Sequence, residues 1–124
     1  MNLTDAVPVG FVHVTSVDRA REFYVDRLGL AVVDESPFAL VVRTGPILLR
    51  LTPVDGHRPV DGTVFGWNVP DIEATMDQLR TSGIEPSRFS GLDQDDLGIW
   101  QSPTSARVAW FADADGNTLS VTQP

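Results

Sequence analysis

The chain's reactive stock is narrow. Seventeen carboxylates, nine basic residues (all arginine) and two histidines, His13 and His57, sit among 124 residues with no cysteine. Without thiols there is no thiolate nucleophile, zinc–thiolate centre, iron–sulfur cluster or disulfide framework. Without a lysine amine, Schiff-base chemistry is excluded. Two acidic runs imitate metal loops. Asp113-Ala114-Asp115-Gly116-Asn117 echoes the start of a calcium loop but lacks the glycine at the sixth position and the bidentate Glu at the twelfth. Asp93-Gln94-Asp95-Asp96 gathers acids without a frame and reads as a solvated loop. No Gly-rich phosphate loop and no Ser-His-Asp signature occur. Acid/base or anion chemistry therefore falls to His13 and Arg50.

Composition bounds the remaining classes. Hydrophobic residues at 42% and charged residues at 21% are ordinary for a globular protein, and the length suits one domain, 1–124. The net charge is −8. Residues 1–60 carry six Arg against seven acids, and residues 61–124 three against ten. Such a surface repels phosphate backbones, so no nucleic-acid partner is expected, whereas a cationic ligand would be attracted. No apolar run is long enough to span a membrane, and the N-terminus lacks a signal pattern. A cytoplasmic protein without a membrane partner is the expectation.

The elements that must position these residues repeat. Val9–Val14 alternates as a strand, and Ser16 caps a helix over Val17–Leu28 that Gly29 ends. Strands follow at Leu30–Asp34, Phe38–Arg43 and Ile47–Thr52, and Val54–Gly62 is a connection. The order then recurs: a strand at Thr63–Val69, an Asp71-capped helix ended by Gly83, and a short strand from Ile84. A long loop over Gly91–Thr104 leads into the hairpin Ala106–Phe111 with Thr118–Thr122, turned by Asp115-Gly116-Asn117. This is βαβββ written twice, modules about 7–53 and 63–123, which predicts an α+β fold.

Three ordered fragments resemble the vicinal-oxygen-chelate superfamily of glyoxalase I, extradiol dioxygenases and bleomycin-resistance proteins. They are Asp18-Arg19-Ala20 with Phe23-Tyr24 and Leu28-Gly29-Leu30, then Val69-Pro70-Asp71-Ile72-Glu73, then Trp110 to Leu119 around Asp113-Ala114-Asp115-Gly116-Asn117. Ala114 stands where the family usually has proline. The resemblance implies a cupped mixed sheet from two modules, completed by a homodimer. It also implies a divalent-metal site on the first strand of each module and on the last strand. Counted from the motifs, those positions hold Val9, Val64 and Ser120, and Ile47–Thr52 lacks the usual Glu. Aliphatic side chains carry no lone pair and one hydroxyl cannot hold the ion. A metal-free member without cofactor is implied. His13, four residues past Val9 on the same face but roughly 13 Å along, does not restore the site.

Strand parity selects the cavity wall. Val9, Phe11 and His13 share the cupped face of the first strand, and Leu48, Arg50 and Thr52 share it on the fourth. Val64, Gly66 and Asn68 join it from the second module, with Thr118, Ser120 and Thr122. Trp67 goes to the helix side, Trp110 shares the parity of Val108, and Trp100 lies in the long loop. The expected ligand-binding set is Phe11, His13, Arg50, Asn68, Trp100, Trp110 and Ser120. An internal salt bridge or dimer contact is the alternative for Arg50, and a hydrogen bond within the wall the alternative for His13; His57 reads as a surface residue. Three functions follow: a metal-independent small-molecule binder like the antibiotic-sequestering members; a metal-independent isomerase, cyclase or hydrolase using His13 and Arg50; or, against the three ligand positions, a metal-dependent lyase or dioxygenase.

Overall fold

The structure is a computed structural model that describes residues 2–124. Its backbone forms two compact units that meet in sequence between Arg58 and Pro59, inside the Val54–Gly62 connection. In the first unit, strand β1 (Val9–Val14) enters helix α1, which is α-helical over Val17–Ala20 and π-helical over Arg21–Arg27. Strands β2 (Ala31–Ser36), β3 (Ala39–Thr44) and β4 (Ile47–Pro53) follow. The sheet order is β1-β4-β3-β2, with β1 parallel to β4 and the other pairs antiparallel. The helix is the crossover that a parallel pair requires.

Alternation builds this unit's core. Val12, Val14, Leu40, Val42, Leu49 and Leu51 turn to the helix and are buried against Ala20, Phe23 and Tyr24. Each such side chain contributes about 1.5–3 kcal/mol on burial. The Ser16 hydroxyl accepts from the Arg19 amide at 3.1 Å, the expected cap. The uniform α-helix expected over Val17–Leu28 is not formed. It widens at Arg21, and the Leu28 amide donates to the carbonyl of Phe23, five residues back, at 3.0 Å. The widening spans the consecutive pair Phe23 and Tyr24, both buried, with ring centroids 5.1 Å apart.

The second unit repeats the plan. Strand β5 (Thr63–Asn68), helix α2 (Ile72–Thr81) and strands β6 (Trp100–Gln101), β7 (Arg107–Ala112) and β8 (Thr118–Gln123) give the order β5-β8-β7-β6. Asp71 caps α2 through the Ala74 amide at 3.0 Å. Gly83 closes it at φ 83°, with the Ile84 amide donating to Leu79 and the Gly83 amide to Arg80. Ile72, Met76, Ile84, Phe111, Leu119 and Val121 form the core, and the Trp67 ring lies parallel to Phe111 at 6.3 Å, so Trp67 is a helix-side residue. Two mixed four-stranded sheets, each with one helix, make an α+β fold.

Two expectations are corrected here. No strand begins at Ile84. That residue is buried as part of the helix stop, and only Pro86, which lacks an amide hydrogen, bridges to Phe111. The fourth strand of the module is instead β6, inside the segment expected to be loop. Gln94 holds that segment. Its amide nitrogen donates to the carbonyls of Ser87 and Gly98 at 2.9 Å, and its oxygen accepts from the Phe89 amide. Gly98, at φ 82°, sits where a Cβ would stand 2.4 Å from Pro86.

Candidate functional site

In each unit one sheet face packs on the helix and the other is open. On the open face of the first sheet, Val9, Phe11 and His13 lie opposite Leu48, Arg50 and Thr52 in parallel register. Parity therefore places Arg50 as expected, turned away from the helix between the buried Leu49 and Leu51. Phe11 is 67% exposed beside it, and His13 is its diagonal neighbour. The antiparallel register carries the row on: Val41 faces Arg50, and Arg43 faces Leu48. Arg43 was missed by the sequence reading. The signal was available, because Arg43 alternates with the buried Val42 just as Arg50 alternates with Leu49.

Charge pairing separates these arginines from the others. Arg21 holds Glu35 through both carboxylate oxygens and Asp18 at 3.0 Å. Those bonds, to Glu35 first and Asp18 second, raise its already high pKa further. Arg27, Arg80 and Arg107 pair with Glu22, Asp77 and Glu73. Arg88 donates to the carbonyls of Asp95 and Asp96. Among the described residues, the side chains of Arg43, Arg50 and Arg58 carry neither an ion pair nor a hydrogen bond. The internal salt bridge weighed for Arg50 is thus not formed among the described residues. His57, expected at the surface, is half-buried, and its ring stands edge-on to His13 at 6.0 Å.

The second sheet's open face is aromatic. One row runs Gly66, Ser120, Trp110, and the next runs Asn68, Thr122, Val108, Trp100. Trp100, expected in a loop, is a strand residue on β6, and its ring is 6.1 Å from that of Trp110. Phe89 stands edge-on to Trp110 at 5.3 Å. The rings of Phe89 and Trp110 border a cleft of about 350 Å³ lined by Gly62, Thr63, Phe89, Leu92, Trp110 and Thr118. Phe89 and Leu92 escaped the sequence reading because they sit in an irregular segment with no period to assign a face. The seven expected site residues thus fall into two sets: Phe11, His13 and Arg50 on one open face, Asn68, Trp100, Trp110 and Ser120 on the other.

The donor set implied by the family does not fit a divalent ion. Val9 lies on the first open face, 46% exposed; Val64 stands at the register shift of β5; Ser120 is wedged against Gly66. Hydrocarbon and one neutral hydroxyl offer no charged ligand. Among the described residues no group of three His, Asp or Glu is placed to hold a metal. The calcium-like run is a turn: buried Asp113 accepts from the amides of Asp115 and Asn117 at 2.9 Å and from the Asn117 side chain at 2.8 Å.

The doubled βαβββ topology and these two open faces define the class. The family model of the Glyoxalase/Bleomycin resistance protein/Dioxygenase superfamily matches residues 9–121, and the chain belongs to that superfamily. Solved structures of similar fold include a glyoxalase family protein from Enterococcus faecalis, 20% identical, TM-score 0.75, covering 98% of this chain and 100% of that one. A glyoxalase/bleomycin resistance protein/dioxygenase from Alicyclobacillus acidocaldarius is 19% identical with TM-score 0.71, covering 99% and 94%. Lactoylglutathione lyase from Agrobacterium tumefaciens is 17% identical with TM-score 0.70, covering 98% and 96%. At these identities the likeness is one of fold. Among curated proteins, no sequence matches. No helix is long and apolar enough among the described residues to cross a membrane.

Proposed function

We propose that the chain is a metal-independent small-molecule-binding protein of the glyoxalase/bleomycin-resistance group, similar in mode to antibiotic-sequestering members and acting as a homodimer in the cytoplasm. The observation that carries this reading is the aromatic cleft of the second unit. Trp110 and Phe89 give it perpendicular ring walls, and Leu92 adds an apolar side, which suits a flat ring system. The second half carries a surplus of seven acids, which favours a cationic guest. Val9, Val64 and Ser120 support binding without metal, because none can anchor an ion.

The test uses acridine orange, a planar cation, added to protein dialysed against EDTA. Saturable quenching of tryptophan fluorescence, weakened at least tenfold by Trp110→Ala and unchanged when Zn²⁺ or Mn²⁺ is restored, is the expected result. Binding that needs added metal, or that ignores Trp110→Ala, overturns the reading.

One observation favours a second reading, a metal-independent enzyme. His13, the acid/base of this reading, and Arg50, its oxyanion stabiliser, are diagonal neighbours on one face. Turnover of a bound compound that is lost in His13→Gln but retains binding would select catalysis over sequestration.

A further inference from the structure

The first unit offers two places for a ligand, and their cations differ. A groove of about 570 Å³ on its helix side is lined by Ser16, Asp18, Arg21, Glu35 and Pro53 among others. Its guanidinium is already consumed by Glu35 and Asp18. The open face presents the opposite case. Arg43 and Arg50 are both unpartnered among the described residues, and both project from the same side of adjacent antiparallel strands.

We propose that Arg43 and Arg50 form an anion subsite that receives the phosphate or carboxylate of an aromatic small molecule, whose ring rests on Phe11. Arg43 opposes Leu48, and Arg50, two residues further along β4, opposes Val41. Such diagonal positions lie about 7–8 Å apart, within reach of two long side chains meeting over one oxyanion. Leu48 and Val41, both half-buried, form the apolar floor between them. A dry floor strengthens a charge-assisted bond, and each guanidinium can present a two-pronged donor to an oxyanion. Two like charges held side by side repel until an anion enters. Asp34, opposite Val41, is the acid on this face, and it pairs with neither arginine. Phe11, directly opposite Arg50 on the other side and 67% exposed, supplies a ring surface at the edge of the anion position.

This inference rests on the binding-protein reading only in taking a small molecule as occupant, and it concerns a different face from the aromatic cleft. The test is a titration of the full chain with phenyl phosphate, followed by amide and arginine-side-chain NMR shifts. Shifts clustered at Phe11, Arg43 and Arg50 are expected, with binding weakened at least tenfold by Arg43→Gln or by Arg50→Gln and unchanged by Arg58→Gln. Benzamide, of similar shape but uncharged, should bind at least tenfold more weakly. Neither substitution should lower the melting temperature of the free protein, since each relieves repulsion. Absence of shifts at these residues, wild-type affinity in Arg43→Gln, or equal binding of benzamide overturns the proposal. Acridine orange quenching at Trp110 reads the binding-protein reading separately, so either can fail alone.

Discussion

Gly66 and Ser120 face each other across the parallel pair β5–β8 so closely that a Cβ at residue 66 would stand 2.3 Å from the Ser120 hydroxyl oxygen and 3.0 Å from its carbonyl. The absence of a side chain at residue 66 is what lets Ser120 and Trp110 continue the row at this spacing. Gly66→Ala should cost about 1–3 kcal/mol of stability through overpacking. Adding Ser120→Ala should recover part of that loss, because the hydroxyl clash is removed while the carbonyl contact stays. Chemical denaturation of the two variants measures both, and a neutral Gly66→Ala would contradict the close approach.

The two faces of β4 give a direct check on parity. Leu51 is fully buried toward α1, while Leu48 lies half-buried on the open side. Leu51→Ala should lose about 2–5 kcal/mol. Leu48→Ala leaves no enclosed cavity, so its loss should be clearly smaller. Equal losses in urea unfolding would mean that both faces are packed and that Arg50 does not stand on an open one.

Strand alternation made the first unit legible: Val12 and Val14 against Phe11 and His13, and Leu49 and Leu51 against Arg50, sort themselves by period alone. The Ser16 and Asp71 caps and the Asp115-Gly116-Asn117 turn were equally readable, since each is a local device, whereas the part Asp113 plays in that turn was not read. Legibility failed where position depends on distant contacts. Trp100 becomes a strand residue because Gln94 and the Gly98–Pro86 contact fold the preceding segment, and no periodic signal encodes that. Phe89 enters the cleft by the same route. The parity of Arg43 was legible but is informative only beside the register that sets it diagonal to Arg50.

A homodimer is expected in solution. Val9 at 46% and Val64 at 37% exposure put apolar surface on open sheet faces. Pairing of two chains would remove such surface from water. Light scattering should give twice the 13.5 kDa chain mass at micromolar concentration. A particle of one chain mass under those conditions counts against the dimer.

The turn at Asp113 should prove structural. Its carboxylate accepts from two backbone amides and from the Asn117 side chain, in a position only 6% exposed. Asp113→Ala would strand those donors, and unsatisfied buried polar groups cost about 1–3 kcal/mol each before water or rearrangement compensates. Asp113→Asn keeps one acceptor oxygen and the shape, so its loss should be smaller. The carboxylate here is engaged by the turn itself, not reserved for an ion. Added Ca²⁺ should therefore leave the melting temperature of the wild-type chain unchanged, because binding to the folded state alone would raise it. A Ca²⁺-dependent rise that disappears in Asp113→Asn would show that the run holds a cation after all.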